Sequence, residues 1–136
     1  MYQNIQIIGR LGKAPEMRFT PAGQQVTSFS VATDNQYTNQ AGEKVKETTW
    51  FRVAVWGKMA EACNTYLAKG SLVMVSGRLT ADKTTGGPKI WTDKSGKAGA
   101  SFEINASVVK FLSTNTAKTE QDPTPFDGGD EEEVPF

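Results

Sequence analysis

At 136 residues, with 15 Lys and Arg balanced by 15 Asp and Glu, no histidine and one cysteine, the chain has the length of one domain. That inventory excludes Cys/His nucleophilic catalysis and zinc sites of the usual ligand sets, and the lone Cys63 fits a reducing compartment. The zero net charge conceals a division: residues 1–112 carry 14 Lys and Arg against 8 Asp and Glu, a net of +6, and residues 113–136 carry Lys118 against seven acids, a net of −6.

In chain order, "NIQIIGRLG" reads as a first strand closing at a glycine turn, and "QQVTSFSVATDN" as a second whose Thr27, Phe29, Val31 and Thr33 share a face. Between them "KAPEMRFTPAGQ", with two prolines and a Pro-Ala-Gly turn signal, reads as an irregular edge or a bend. The polar "NQYTNQAGEKVKE" is a projecting hairpin carrying Tyr37. A third strand follows in "TTWFRVAVWGK", where period-two alternation sends Phe51, Val53 and Val55 to a core face and Trp50, Arg52, Ala54 and Trp56 to the other. Two indoles with a cation between them are odd on a solvated face and expensive in a buried one, so this face needs a ligand or a partner.

"KMAEACNTYLAKG" places Met59, Ala62, Cys63, Tyr66 and Leu67 at helical spacing, with Lys69 in the last turn and Gly70 at the cap. Cys63 on that stripe reads as a small buried hydrophobe. "SLVMVSGRL" and "ASFEINASVVKFL" are the fourth and fifth strands, and the loop between them is basic, glycine-rich and carries Trp91. From Ser113 onward apolar periodicity stops, and the tail is expected to be disordered. Three strands, a helix and two more strands is the element order of the five-stranded OB barrel, an all-β fold, with a small β-sandwich as the alternative. The domain organisation expected is a barrel over 1–112 and an acidic tail over 113–136.

No P-loop is present, the acids of the body are scattered singly, and neither an enzyme nor a cofactor is expected. No early run reads as a signal peptide and none approaches a membrane span, so a cytoplasmic protein is expected. For any one tryptophan, ordinary burial with a satisfied N–H is the alternative to a binding role. Taken together the aromatics argue otherwise, because each has cations nearby: Arg52 between Trp50 and Trp56, Lys58 after Trp56, Lys44 and Lys46 across the hairpin from Tyr37, Lys89 and Lys94 around Trp91. Unpaired nucleic acid asks for both at once, since its bases are exposed π-surfaces strung on a polyanion. Duplex readers place a basic helix in a groove, and the one helix here has little positive charge beyond its ends. A carbohydrate-binding or structural β-barrel module is the competing reading, since sugars also stack on tryptophan, but it does not call for interleaved lysines.

The stretches "IIGRLGKAPEMRFTPAG", "FSVATDN", "ETTWFRVAVWGKMAEACNTYLAKG", "VSGRL", "WTDKSG" and the terminal "VPF" resemble the bacterial-type single-stranded DNA-binding proteins, over residues 3 to about 112 and again at the tip. The resemblance implies an OB fold, four DNA-contacting domains per functional unit, usually as a homotetramer, and sequence-tolerant wrapping of single-stranded DNA in replication, recombination and repair. By position, Tyr37, Trp50, Trp56 and Trp91 match the family's base-stacking aromatics, and Arg52, Lys58 and Lys69 lie among its backbone-contacting cations, with Lys89 beside Trp91 completing the expected DNA-binding set. Tyr37 stands where the family often has tryptophan, and "TTGGP" is an insertion ahead of "KIWTDKSG".

Two further expectations come from the ends of the chain. "YQNIQIIG", with Ile5 and Ile7 alternating against polar neighbours, is a candidate for self-association by strand addition. Asp130, Glu131, Glu132 and Glu133 read by themselves as a solubilising acidic run, but such a tail has no use for Val134, Pro135 and Phe136. A terminal aromatic with its free carboxylate suits an apolar, Arg- or Lys-rimmed pocket on a partner protein, and Pro135 limits the entropy lost on docking.

Overall fold

Alternating apolar residues in five segments supply the inward faces of a barrel. The computed structural model describes residues 1–113; Ser113, expected to open the disordered tail, is instead the last residue of a strand, paired with Leu72, and the rest of the tail and its docking tip lie outside the described residues. The elements in order are β1 (Ile5–Leu11), β2 (Glu16–Phe19), β3 (Gln25–Thr38), β4 (Lys44–Trp56), α1 (Lys58–Tyr66), β5 (Leu72–Thr80), β6 (Lys89–Thr92) and β7 (Ala98–Ser113). Strand β1 pairs with β5, β5 with β7, β7 in parallel with β4, and β4 with β3, which returns to β1 at Arg10↔Ala32 and Leu11↔Val31. These five strands close the OB barrel that the element order predicts, with the helix between its third and fourth strands.

Val31, Val53, Val55, Val73, Val75 and Ile104 fill the interior, each at most 1% exposed. Burying a side chain of this size is worth about 1.5–3 kcal/mol, so this cluster anchors the fold. Closure brings backbones close together at Gly9 and Gly77, where a methyl group would run into the carbonyls of Ala32 and Asn105 respectively. Helix α1 lies against β3 and β4, and the buried Thr27 hydroxyl donates to the Ala60 carbonyl at 2.6 Å. None of the helices among the described residues is long and apolar enough to cross a membrane.

The structure corrects three local expectations and extends a fourth. Residues 16–19, read as an irregular edge, form β2 and pair with β3 from Glu16↔Ser28 to Phe19↔Gln25. The expected hairpin is present, turning at Asn39–Gly42, and its ladder runs farther than the sequence suggests, from Val26↔Trp56 out to Thr38↔Lys44. The helix stops at Tyr66, because Leu67 turns to extended backbone (φ −91°, ψ 149°) and buries its side chain in the core. Lys69 and Gly70 therefore sit in a following turn rather than in the last helical turn. The buried stripe is Ala60, Cys63 and Leu67, whereas Met59 and Tyr66 are exposed and Tyr66 meets Phe111 at a ring-centroid distance of 6.3 Å. Burial pushes the Cys63 thiol up to about 11, as its placement on the apolar stripe implies. Finally, Lys89–Thr92, read as loop, is strand β6, paired with β7.

Candidate nucleic-acid interface

The outward face of β4 carries Trp50, Arg52, Ala54 and Trp56, as the alternation predicts, while Val53 and Val55 are buried behind it. Trp50 is 52% and Trp56 43% exposed, which is unusual for residues with so much apolar surface. The neighbouring strands extend this face. Across the antiparallel β3 ladder, Ala32, Ser30, Ser28 and Val26 stand opposite Trp50, Arg52, Ala54 and Trp56, so the indoles rise above a floor of small side chains. Across the parallel β7 ladder, Arg52 is level with Glu103 and Ala54 with Asn105.

Strand β6 continues the same face, because Lys89 stands opposite Ser101 and Trp91 opposite Gly99, in the outward row of β7 that includes Glu103. The Trp91 indole N–H donates to Ser101 Oγ at 2.9 Å, and the Lys89 ammonium lies 3.8 Å from Glu103. The turn beyond β6 is fixed by Asp93, whose carboxylate accepts from the Ser95 hydroxyl and from the backbone N–H groups of Ser95 and Lys97. These bonds, the Ser95 hydroxyl's foremost, hold the Asp93 pKa below the usual carboxylate value. The inserted "TTGGP" is a closed turn of its own: Asp82 accepts from the Thr84 and Thr85 N–H groups, and the Asp82 N–H donates to the Gly87 carbonyl. This turn closes before β6 begins, and Trp91 is carried on the ladder with β7.

A groove of about 560 Å³ crosses this face, walled by Arg18 and Phe19 of β2, Arg52 and Trp56 of β4 and Lys89 of β6. It adjoins two further hollows through shared residues. Arg52 also lines one with Lys13, Ser28 and Ser30, and Trp56 lines the other with Gln25, Gly57 and Lys58. The three hollows are thus joined through Arg52 and Trp56 into one track along the sheet face.

The structure brings Trp50, Arg52, Trp56, Lys89 and Trp91 onto one sheet face and puts Lys58 at the start of α1 beside Trp56. Two expected site residues lie elsewhere. Tyr37 stands opposite Val45 in the outer hairpin, on the alternate row, so it faces the other side of the ribbon from Trp50 and Arg52. Hydrogen bonding to Glu47, and the charge of that carboxylate, raise the Tyr37 phenol above its ordinary pKa. Lys69 is exposed on the turn after the helix, where Gly70 and Ser71 bond to Leu11, and it lines none of the three hollows. Arg18 and Phe19, at 63% exposure for Phe19, were not singled out from the sequence. The five residues between Pro15 and Pro21 give too little alternation to read as a strand; pairing with β3 sets Arg18 opposite Val26 in the row of Trp56, and Phe19 borders the groove from the end of β2.

A five-stranded OB barrel whose outer strand face bears exposed indoles and interleaved cations is an OB-fold binding module. The chain belongs to the single-strand binding protein family, whose model matches residues 2–112. It is 36% identical over 108 residues to a single-stranded DNA-binding protein of Neisseria meningitidis, covering 79% of this chain and 58% of that one. Against the single-stranded DNA-binding protein of Thermotoga maritima it is 35% identical over 118 residues, 87% of this chain and 79% of the relative. The chain thus spans a little over half of the Neisseria relative's length and most of the Thermotoga one. Among solved structures it resembles a Plasmodium falciparum SSB complex with ssDNA, with a TM-score of 0.66 at 26% identity, covering 82% of this chain and 96% of that one. It also resembles a deletion mutant of the single-stranded DNA binding protein from Thermus aquaticus, with a TM-score of 0.62 at 26% identity, covering 83% and 51% of the two chains.

Proposed function

We propose that this protein binds single-stranded DNA without reading its sequence and protects it during replication, recombination and repair in the cytoplasm. The observation that carries the reading is the alignment of Trp50, Trp56 and Trp91 with Arg52 and Lys89 on one exposed sheet face. Every base has a π-face, so stacking tolerates sequence, and the cations between the rings meet the phosphates. Because all three tryptophans of the chain lie there, intrinsic fluorescence reports the site directly. Oligo-dT is expected to quench it, with log K falling against log salt by about 0.7 for each phosphate neutralised, while a duplex of equal length leaves it nearly unchanged. Unquenched emission at saturating oligo-dT would overturn the placement of the site.

The working unit is an oligomer of four chains, assembled through strand edges. Residues 5–9 of β1 have β5 on one side, whereas β3 pairs with β1 only at Arg10 and Leu11, and Ile8 is 58% exposed. That open edge is a template for a second copy of the strand. Light scattering is expected to report four chains, and a monomer at micromolar concentration contradicts this arrangement.

The acidic tail recruits replication, recombination and repair proteins through Val134, Pro135 and Phe136, and its charge competes with DNA for the +6 body. On this reading Phe136→Ala abolishes capture of such partners and leaves affinity for oligo-dT unchanged. Deleting residues 113–136 raises that affinity, most at low salt where screening is weakest. Undiminished capture by Phe136→Ala, or weaker DNA binding after the deletion, counts against the role given to the tail.

A further inference from the structure

The rings of Trp50 and Trp91 share a feature that the stacking reading does not by itself require. Each lies against the backbone of a glycine from another segment. A methyl group built on Gly12 would sit 2.6 and 2.7 Å from Cζ3 and Cη2 of Trp50. One built on Gly99 would sit 2.5 Å from both Cη2 and Cζ2 of Trp91 and 2.9 Å from Cζ3. In both cases the contact is with the distal six-membered ring, the part of the indole with the most surface for a base. The glycines are unrelated in sequence: Gly12 follows β1, and Gly99 lies in β7 on the far side of the β6 hairpin.

Neither glycine is demanded by its own backbone, since neither has the left-handed φ that excludes other residues. What a side chain would meet at each position is the indole. Gly12 is also fixed in space, its N–H donating to the Ser30 carbonyl at 3.1 Å, and Ser30 is the register partner of Arg52. The main chain that meets the Trp50 ring is therefore tied to the ladder that carries Arg52.

We propose that Gly12 and Gly99 are positioning residues that set the placement of Trp50 and Trp91 by letting the distal ring of each indole come up against main chain where a side chain would obstruct it. This rests on the stacking role proposed above. A ring set against backbone has fewer orientations to lose when a base lands on it, so the platform is organised before binding. Trp91 is placed both by Gly99 and by its bond to Ser101, whereas Trp50 meets Gly12 at the distal edge of its ring, so Trp50 is the more sensitive ring.

The test uses the full chain and oligo-dT titrations of Gly12→Ala, Trp50→Ala and the double variant, with thermal melting alongside. Since alanine fits the backbone at position 12 and the obstructed atoms are the movable end of a side chain, melting is expected to match wild type. Affinity is expected to fall about 3- to 10-fold, part of a full stacking contribution. The double variant is expected to bind no more weakly than Trp50→Ala, because the glycine acts only through the ring. A shorter ring should escape the methyl group, so Gly12→Ala is expected to be harmless in a Trp50→Phe background. Full affinity in Gly12→Ala while Trp50→Ala is impaired, or losses that add in the double variant, would overturn the positioning role. An unimpaired Trp50→Ala would instead remove the stacking role on which it rests. Should Gly12→Ala unfold, the same comparisons at Gly99 and Trp91 decide the matter.

Discussion

Trp56→Ala is expected to weaken binding of oligo-dT by about 1–3 kcal/mol, or about 5- to 150-fold, while leaving the fold intact. Trp56 lines both the central groove and the hollow that contains Lys58, so its loss interrupts the track where the two meet. Trp50→Ala falls on the same scale, but its ring lines neither of those hollows, and the Trp56 variant should stand nearer the upper end. Both side chains point away from the buried row of Val53 and Val55, so neither substitution opens a cavity in the core. Equilibrium titration gives the first quantity and thermal melting the second. Collapse of the fold in either variant would return these tryptophans to a structural role, and unaltered affinity in both would remove them from the binding surface.

Gly77→Ala is expected to act through the barrel alone. Gly77 stands between two strands, opposite Ile5 of β1 and Ala106 of β7, at an irregularity in the β5–β7 register. A methyl group there would run into the Asn105 carbonyl and lie 2.8 Å from the Ala106 Cα, and both are main-chain atoms that cannot rotate aside. Overpacking of this kind costs about 1–3 kcal/mol and more when backbone must move. For a domain of this size that corresponds to a fall in melting temperature on the order of ten degrees. The contrast with Gly12→Ala is the informative part: one glycine makes room for a strand and the other for a ring. Wild-type melting of Gly77→Ala would show that the closure tolerates separation of β5 from β7.

Much of the candidate surface was legible because strand alternation is local. Any extended backbone through residues 50–56 must send Trp50, Arg52 and Trp56 one way and Val53 and Val55 the other, whatever the rest of the chain does. The helix was legible as an element but not in its rotation or its end. Leu67 leaves helical geometry to reach the core, and only the position of the barrel determines that. Strand β2 was not legible, since it is held by pairing with β3 rather than by propensity within four residues.

The sequence by itself determined the order of the five barrel strands and the helix, the inward and outward rows of β4 and the opposition of a basic body to an acidic tail. Tertiary structure alone decided that Trp91 and Lys89 share a face with Trp50 and Arg52, through the parallel register that sets Arg52 level with Glu103 and the β6–β7 ladder beyond it. It also decided that Arg18 and Phe19 wall the groove, that Tyr37 faces the other side of its hairpin, and that Gly12 and Gly99 lie against indoles. The division follows from range: side-chain direction along a strand is fixed by neighbouring peptide units, whereas register between distant strands is fixed only when the whole barrel closes, and a slip of one residue would send each of these side chains to the opposite face.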